Sequence, residues 1–520
     1  MLDNELIEQL RGLFKELQDD YVLAISPSHH ARQGELRDML DSLASASPRL
    51  RVVETGPESS EVHFALLKNG VPTGVNFRGV PGGHEFSSVV LAILNADGRG
   101  KLPDESVLSR VKRLRGPIAL RTYVSLSCTN CPDVVQALNL MAIMHGDFRH
   151  EMIDGALVAE EVQRLGIQAV PTVYAGDEVL HVGRASLAEL LDALEERFGS
   201  SQARGAGEET KLDEPRAYDV VVLGGGPAGA SAAIYSARKG LKTALITERM
   251  GGQVQETLGI ENLISVTYTE GARLAADLER HVRGYPVEVL EHRRVESVED
   301  GTQKRLHLKG GELVLADRLI VATGARWREL GIPGEKEFLG RGVAFCPHCD
   351  GPFYKGRPVA VVGGGNSGVE AAIDLAGICS HVTLLEFLDK LKADDVLVKK
   401  LSSLPNVTVI TNARTTEIVG DANGVQSIRY RDRETDEARE VALAGVFVQI
   451  GLVPNSAVIK DVVETNRMGE ILVDAHGRTS AKGVYAAGDV TNVPFKQIVI
   501  AIGEGAKAAL TAFEDRMRAG

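Results

Sequence analysis

Four of the five cysteines in this 520-residue chain stand in two Cys-x-x-Cys pairs, Cys128/Cys131 and Cys346/Cys349; the fifth is Cys379. Two thiols at that spacing either cycle between dithiol and disulfide or supply half of a metal site. A structural zinc site needs four ligands. The two pairs lie far apart in sequence with a polar linker between them, so we expect redox chemistry and no metal. The run Cys128-Thr129-Asn130-Cys131-Pro132 opens a helical stretch over 134–144, whose dipole would stabilise a thiolate at its start. In Cys346-Pro347-His348-Cys349-Asp350, a close pair can form a small, readily reduced disulfide beside an acid able to manage its protons. His348 reads equally well as a thiolate-tuning or a solvated side chain. Cys379 sits in an apolar helix, Ala371 to Ile378, and reads as a buried packing residue.

Glycines supply the second kind of chemistry. The strand Asp219-Val220-Val221-Val222-Leu223 runs into Gly224-Gly225-Gly226-Pro227-Ala228-Gly229. Gly224 suits a tight turn, Gly226 lets the backbone approach a pyrophosphate, and Gly229 allows close helix–strand packing. The phosphates then lie on the following helix N-terminus. Glu248 ends the next strand, where a ribose hydroxyl is bound. A second copy runs from Pro358 to Val362 into Gly363-Gly364-Gly365-Asn366-Ser367-Gly368, with Glu386 ending its next strand. A carboxylate there accepts from a 2′-hydroxyl and repels a 2′-phosphate. The stretch after Glu386 holds no arginine, although Lys390 and Lys392 follow; we expect NADH over NADPH. Ala322-Thr323-Gly324-Ala325 follows an apolar strand. Val484-Tyr485-Ala486-Ala487-Gly488-Asp489 suits a flavin domain resumed after an insertion, with Gly488 allowing close approach and Asp489 binding a ribityl hydroxyl.

The elements that must position these groups form a regular series. Residues 1–118 show a helical period (Leu6, Leu10, Leu13, Phe14, Leu17), a strand at 21–25, a helix at 35–43, a hairpin formed by 62–67 and 74–77, and a helix through 86–94. Residues 119–198 repeat this plan with the cysteines present: a strand at 118–124, the Cys128 helix, then Val170-Pro171-Thr172, a strand and a last helix. We expect two tandem thioredoxin-like units and a cis Val170–Pro171 bond. Residues 199–214 are polar and Gly-rich and read as a flexible linker. Beyond it we expect an α/β architecture of two Rossmann-type, three-layer domains: FAD-binding over 215–325 and 447–520, NAD-binding over 326–446.

Net charge is −13 with no basic patch, against nucleic-acid binding. No apolar run is long enough to span a membrane, and the acidic start, Leu2-Asp3-Asn4-Glu5, has no signal core; the expected location is cytoplasmic.

Residues 218–510 resemble the thioredoxin-reductase class, through 224–229, Gly251-Gly252-Gln253, Cys346-Pro347-His348-Cys349-Asp350-Gly351 and Ala487-Gly488-Asp489. With the block 125–139 and the doubled N-terminal unit, the whole chain resembles the family of bacterial alkyl hydroperoxide reductase flavoprotein subunits. The resemblance implies FAD on 224–229 with Glu248, its ring region served by Gln253, Asn262, Asp489 and Gln497, and NADH on 363–368 with Glu386. It implies that Cys349 faces the flavin, that Cys346 exchanges outward, and that Asp350 is the acid–base residue. Cys128 would attack the partner and Cys131 resolve. Electrons would run from NADH to FAD, to Cys346–Cys349, to Cys128–Cys131, and then to the peroxiredoxin that completes an alkyl hydroperoxide reductase, for peroxide detoxification. A homodimer through the flavoprotein core is also implied. Thr129 departs from the family, which has histidine there, leaving the acidity of Cys128 open. Glu85 matches a family glutamate on the cysteine-free unit; its plain reading is a helix-start carboxylate. Rivals are a thioredoxin reductase serving a separate carrier, an oxygen-reducing NADH oxidase and a nicotinamide-sensing scaffold. The attached dithiol unit argues against the first, and the two dithiol pairs against the second. The third would lack a bound yellow flavin or NADH-driven thiol reduction.

Overall fold

The computed structural model describes residues 4–128, 131–167, 170–200, 215–257, 259–339, 341–345, 347–421 and 424–519. Cys346, Thr129 and nearly all of the expected linker lie outside them. Residue contacts divide the chain into two compact units, Met1–Lys211 and Leu212–Gly520.

The first unit is built on one eight-stranded sheet. Its strands are β1 (Tyr21–Ile25), β2 (Leu50–Glu54), β3 (His63–Lys68), β4 (Val71–Arg78), β5 (Ile118–Val124), β6 (Phe148–Asp154), β7 (Thr172–Ala175) and β8 (Glu178–Val182). They lie in the order β2-β1-β3-β4-β6-β5-β7-β8. Each half therefore runs second, first, third, fourth, with its first two strands parallel and the rest antiparallel. The halves join by parallel pairing of β4 with β6, which gives each an internal neighbour in place of an open edge. The helices are α1 (Asn4–Phe14), α2 (Gln33–Ala44), α3 (Phe86–Ala96), α4 (Glu105–Arg113), α5 (Cys131–Met144), α6 (Ala159–Arg164) and α7 (Leu187–Phe198). Helix α5 starts at Cys131 itself, earlier than its apolar period suggested. Its Val134, Val135, Leu138 and Met141 are fully buried, at roughly 1.5–3 kcal/mol for each large apolar side chain.

The second unit holds two nested α/β layers. One sheet takes the order β11-β10-β9-β14-β13-β12, from β9 (Arg216–Leu223), β10 (Thr243–Thr247), β11 (Val287–Glu291), β12 (Val295–Glu299), β13 (Lys304–Leu308) and β14 (Leu313–Val321). Helices α8 (Pro227–Arg238) and α9 (Gly271–Arg283) follow β9 and β10. A ribbon pairs β15 (Ala325–Trp327) with β24 (Leu452–Pro454) where the chain leaves and re-enters this layer. Between them stands a five-stranded parallel sheet, β16-β23-β17-β18-β19. It comprises β16 (Val343–Ala344), β17 (Pro358–Val362), β18 (His381–Leu385), β19 (Val407–Ile410) and β23 (Gly445–Val448), with α10 (Pro347–Asp350), α11 (Asn366–Ala376) and α12 (Asp395–Ser402). An antiparallel sheet of β20 (Ala413–Asp421), β21 (Gly424–Asp432) and β22 (Ala438–Ala442) lies beside it. Strand β25 (Val484–Ala486) then returns to pair with β14, and α13 (Ile498–Ala519) packs on α8 through Gly505, where a Cβ would meet Ala228 O at 2.0 Å.

Two expectations shift. Cys379 is buried, as expected, but it lies in the turn after α11 rather than in the helix. Val446 sits inside β23, so the return crossing starts only beyond Val448.

Candidate functional site

In the first unit Cys128 and Cys131 are joined by a disulfide across a 5.6 Å Cα–Cα gap. Cys131 opens α5 and is fully buried, whereas Cys128 is partly exposed. The Cys131 N–H points at Cys128 Sγ, 3.1 Å away; such an N–H stabilises a thiolate there once the bond is reduced. The Val170–Pro171 bond is cis, and Val170 O lies 3.9 Å from Cys128 Sγ. The cysteine-free half supports this loop. Gly83, at φ +55°, sits so close to Leu126 that a Cβ would meet its carbonyl at 2.6 Å. Gln136 Nε2 donates to Ser87 Oγ at 3.0 Å. Glu85 does not cap α3. Its side chain is buried, Oε2 accepts from Ser88 Oγ at 2.6 Å, and Oε1 has no partner among the described residues. Burial raises its carboxyl to about 7.

The first glycine fingerprint sits between β9 and α8. Gly224 is at φ +115°, and a Cβ there would meet Ala322 O at 2.2 Å; one on Gly229 would meet Gly224 O at 1.7 Å. These two glycines are required by the protein's own packing. Gly226 is different: its nearest neighbour would be 4.0 Å away, and its φ of −75° suits any residue. That open space at the N-terminus of α8, with Pro227 at the first helical position and Ala228 beside it, has room for a dinucleotide's phosphates. Glu248 follows β10, and Arg294 holds its carboxylate with two bonds of 3.0 and 2.8 Å. Gln253 accepts from Trp327 Nε1 at 3.0 Å and donates to Ala325 O at 2.9 Å. Asn262 Nδ2 donates to Gln497 Oε1 at 3.2 Å across 235 residues. Gly324 is at φ +68° in open space. Gly488, at φ +76°, would place a Cβ 2.9 Å from Ala228. The carboxyl of Asp489 is raised by desolvation, with Lys496 opposing. It has no hydrogen-bond partner among the described residues. Open backbone at Gly226 and Gly324 and this lone acid fit a flavin dinucleotide.

The second fingerprint repeats the first. A Cβ on Gly363 would meet Gln449 O at 2.3 Å and one on Gly368 would meet Gly363 O at 1.9 Å, while Gly365 has nothing within 4 Å. Ser367 is exposed on the first turn of α11, and the Asn366 side chain donates to Asp394 Oδ2 and accepts from the Asp394 N–H. Glu386 lies just past β18, largely buried. The open Gly365 fits a second pyrophosphate.

Cys349 and Asp350 lie on the short α10, and Asp350 is half-buried, its charge felt by Tyr354. Just beyond, Phe353 packs on the flavin-type layer: a Cβ on Gly259 would meet its ring at 2.8 Å. Trp327 and Phe345 stack with centroids 5.8 Å apart. Sequence reasoning missed Trp327, Phe345 and Arg433, none of which falls in a motif. Among the described residues no cluster of His, Cys, Asp and Glu could hold a metal ion, and no helix is long and apolar enough to cross a membrane.

Residues 218–505 match the family described as pyridine nucleotide-disulphide oxidoreductase, and residues 120–196 match the thioredoxin domain. Thioredoxin reductase from Streptococcus pyogenes superposes with a TM-score of 0.56 at 34% identity, over 59% of this chain and 100% of that one. The fold and site thus define a flavoprotein oxidoreductase that uses FAD and a nicotinamide nucleotide against a disulfide. Similarity continues over the full length. The F-type subunit of alkyl hydroperoxide reductase from Pseudomonas putida is 50% identical over 100% of this chain and 99% of its own. That of Escherichia coli K12 is 45% identical, over 100% and 99%. A Bacillus subtilis protein named NADH dehydrogenase is 48% identical, over 100% of both. The chain belongs to the alkyl hydroperoxide reductase F-type family of pyridine nucleotide-disulphide oxidoreductases.

Proposed function

We propose that this chain is the NADH-dependent reductase of a peroxiredoxin disulfide, supporting reduction of alkyl hydroperoxides and hydrogen peroxide. The observation that carries this reading is the Cys128–Cys131 disulfide beside cis Pro171, built into the same chain as two dinucleotide cradles. A thioredoxin-like carrier attached covalently makes a separate carrier unnecessary. Two of the full-length relatives are named as alkyl hydroperoxide reductase subunits, and the Bacillus subtilis relative is named for NADH.

FAD, when bound, would take electrons from reduced nicotinamide and deliver them to a disulfide. The chain's own residues do the rest. Gly224, Gly226 and Gly229 shape the turn for its pyrophosphate, Glu248 faces the ribose, and Gln253, Asn262, Gly324, Gly488, Asp489 and Gln497 surround the remainder. Gly363, Gly365, Asn366, Ser367, Gly368 and Glu386 serve the nicotinamide nucleotide. Asp350 holds or releases a proton beside Cys346 and Cys349, the outward and flavin-facing thiols. Cys128, the more exposed of its pair, attacks the partner disulfide, and Cys131 closes on it.

The domain division that goes with this reading is 1–118 and 119–198 for the two thioredoxin-like units, 199–214 for a linker, 215–325 with 447–520 for FAD, and 326–446 for NAD, the last boundary moved past Val448 by the extent of β23. The separation of contacts at Lys211 and Leu212 supports the main boundary. A homodimer in the cytoplasm completes the proposal. Anaerobic titration with NADH tests it: the full chain should take up electrons for one flavin and two disulfides, six per chain. Uptake of only two would remove both dithiols from the path.

A further inference from the structure

In a βαβ dinucleotide unit the adenosine half lies beyond the end of the second strand. Here the two copies can be compared residue by residue. Ile246 pairs with Leu223 just before Gly224, and Leu385 pairs with Val362 just before Gly363. Thr247 and Glu386 are therefore equivalent, and they do the same work: Gly225 N–H donates to Thr247 Oγ1 at 3.1 Å, and Gly364 N–H to Glu386 Oε2 at 2.5 Å. Glu386 Oε1 accepts from Leu388 N–H at 2.8 Å. At 8% exposure, this carboxylate closes the turn from beneath.

The residue in Glu248's place is Phe387. It is 51% exposed, and the Arg433 guanidinium lies over its ring, 4.0 Å from the centroid. Arg433 Nη1 donates to Phe387 O at 2.8 Å, although the two lie 46 residues apart. Arg433 sits in the turn between β21 and β22. Its N–H donates to Asn412 O, and Asn412 N–H donates to Leu388 O, each at 2.8 Å. Backbone bonds thus fix the stacked pair to the end of β18. A cation on an aromatic face contributes roughly 0.5–1 kcal/mol when exposed and about 2 when desolvated, so a flat ring covering this pair would strengthen it.

We propose that Phe387 and Arg433 form the adenine grip of the nicotinamide nucleotide site, with the adenine stacked on the Arg433 guanidinium. This rests on reading the second fingerprint as that site. Recognition of the adenosine half then comes from stacking, while Glu386 serves the turn and places negative charge below the ribose.

Calorimetry on the FAD-loaded, oxidised full chain tests the grip with three probes: NAD⁺, ADP-ribose and nicotinamide mononucleotide. Arg433→Ala should weaken NAD⁺ and ADP-ribose about tenfold, about 1.4 kcal/mol, and leave the mononucleotide unchanged. Arg433→Lys should recover little, because an ammonium has no planar face. Unchanged ADP-ribose affinity in Arg433→Ala, or full recovery with lysine, overturns the grip. Gly365→Val separates the grip from the reading beneath it. Its Cβ meets nothing within 4 Å, so the chain should fold while the pyrophosphate is excluded. NAD⁺ binding that survives Gly365→Val removes the site itself. Binding lost there but untouched by Arg433→Ala removes only the grip.

Discussion

Glu248 and Phe387 occupy the same place on two copies of one structural unit. Glu248 stands two residues past Ile246 and Phe387 two past Leu385, the strand residues paired with Leu223 and Val362 just before each first glycine. One copy puts there a carboxylate clasped by Arg294; the other puts an aromatic ring covered by Arg433. The same fold thus presents two different surfaces to two dinucleotides.

The glycines that face open space can be told apart from those that face the protein. Gly226→Val should fold and purify without colour, because its Cβ has room but the flavin pyrophosphate does not. Gly229→Ala should instead fail to give soluble protein, since its Cβ would overlap Gly224 O. Flavin absorbance per folded chain is the measurement, and a yellow Gly226→Val would contradict the cradle.

NADH should have a higher kcat/KM than NADPH. Glu386→Ala should narrow the gap by removing the charge below the ribose. It should also weaken NADH binding several-fold, because the Gly364 and Leu388 amides lose their acceptor. Arg433→Ala should widen the gap by removing the nearby cation. A wild-type preference for NADPH would show that the role given to Glu386 is wrong.

The two halves should be separable. A fragment beginning near residue 215 should keep FAD and oxidise NADH with artificial acceptors, yet fail to reduce peroxiredoxin. Efficient peroxiredoxin turnover by that fragment would exclude the relay through Cys128 and Cys131.

Catalysis should require the inserted layer to rotate, because one flavin must meet both nicotinamide and disulfide at roughly 3–3.5 Å. The crossings lie side by side, as the β15–β24 ribbon. Gly331 and Gly451, at φ +70° and +104°, are the places where the backbone can swivel. A crosslink between Gly259→Cys and Phe353→Cys should block turnover and leave FAD bound. Unchanged peroxiredoxin reduction in a fully crosslinked sample would refute the rotation.

Glu85 should make the first unit sensitive to alkali. Its folded-state carboxyl titrates near 7 rather than 4.5. Stability from the protonated form is therefore fully present below about pH 4.5 and is lost as pH rises through 7. Glu85→Gln should gain thermal stability relative to wild type at pH 8 but not at pH 4.5, by up to about 3 kcal/mol. An equal difference at both pH values would mean that the carboxylate is not desolvated in solution.

Much of this was legible because it is local. The turn after Leu223, the strand at Ile118–Val124 and the cis bond before Pro171 each follow from adjacent residues. The doubled thioredoxin-like plan was visible as a repeat of periods. What the sequence hid depends on residues meeting across the fold. Nothing near Glu386 announced Arg433, because α12 and strands β19 to β21 must fold back before it reaches Phe387. Nor could periodicity show that α5 begins at Cys131, since the cysteine loop, not the apolar stripe, sets that end. The burial of Glu85 was equally hidden: its neighbours Gly83 and His84 suggest a surface turn, yet its side chain is fully buried.

The pairing of β4 with β6 has a consequence for synthesis. β4 ends at Arg78 and its neighbour β6 begins only at Phe148. On the ribosome the first thioredoxin-like half must wait, with one strand unzipped, until the second half emerges. During that interval the bare strand is a template for wrong partners, including nascent copies of itself. A half that has no thiols of its own is thus committed to its neighbour from birth.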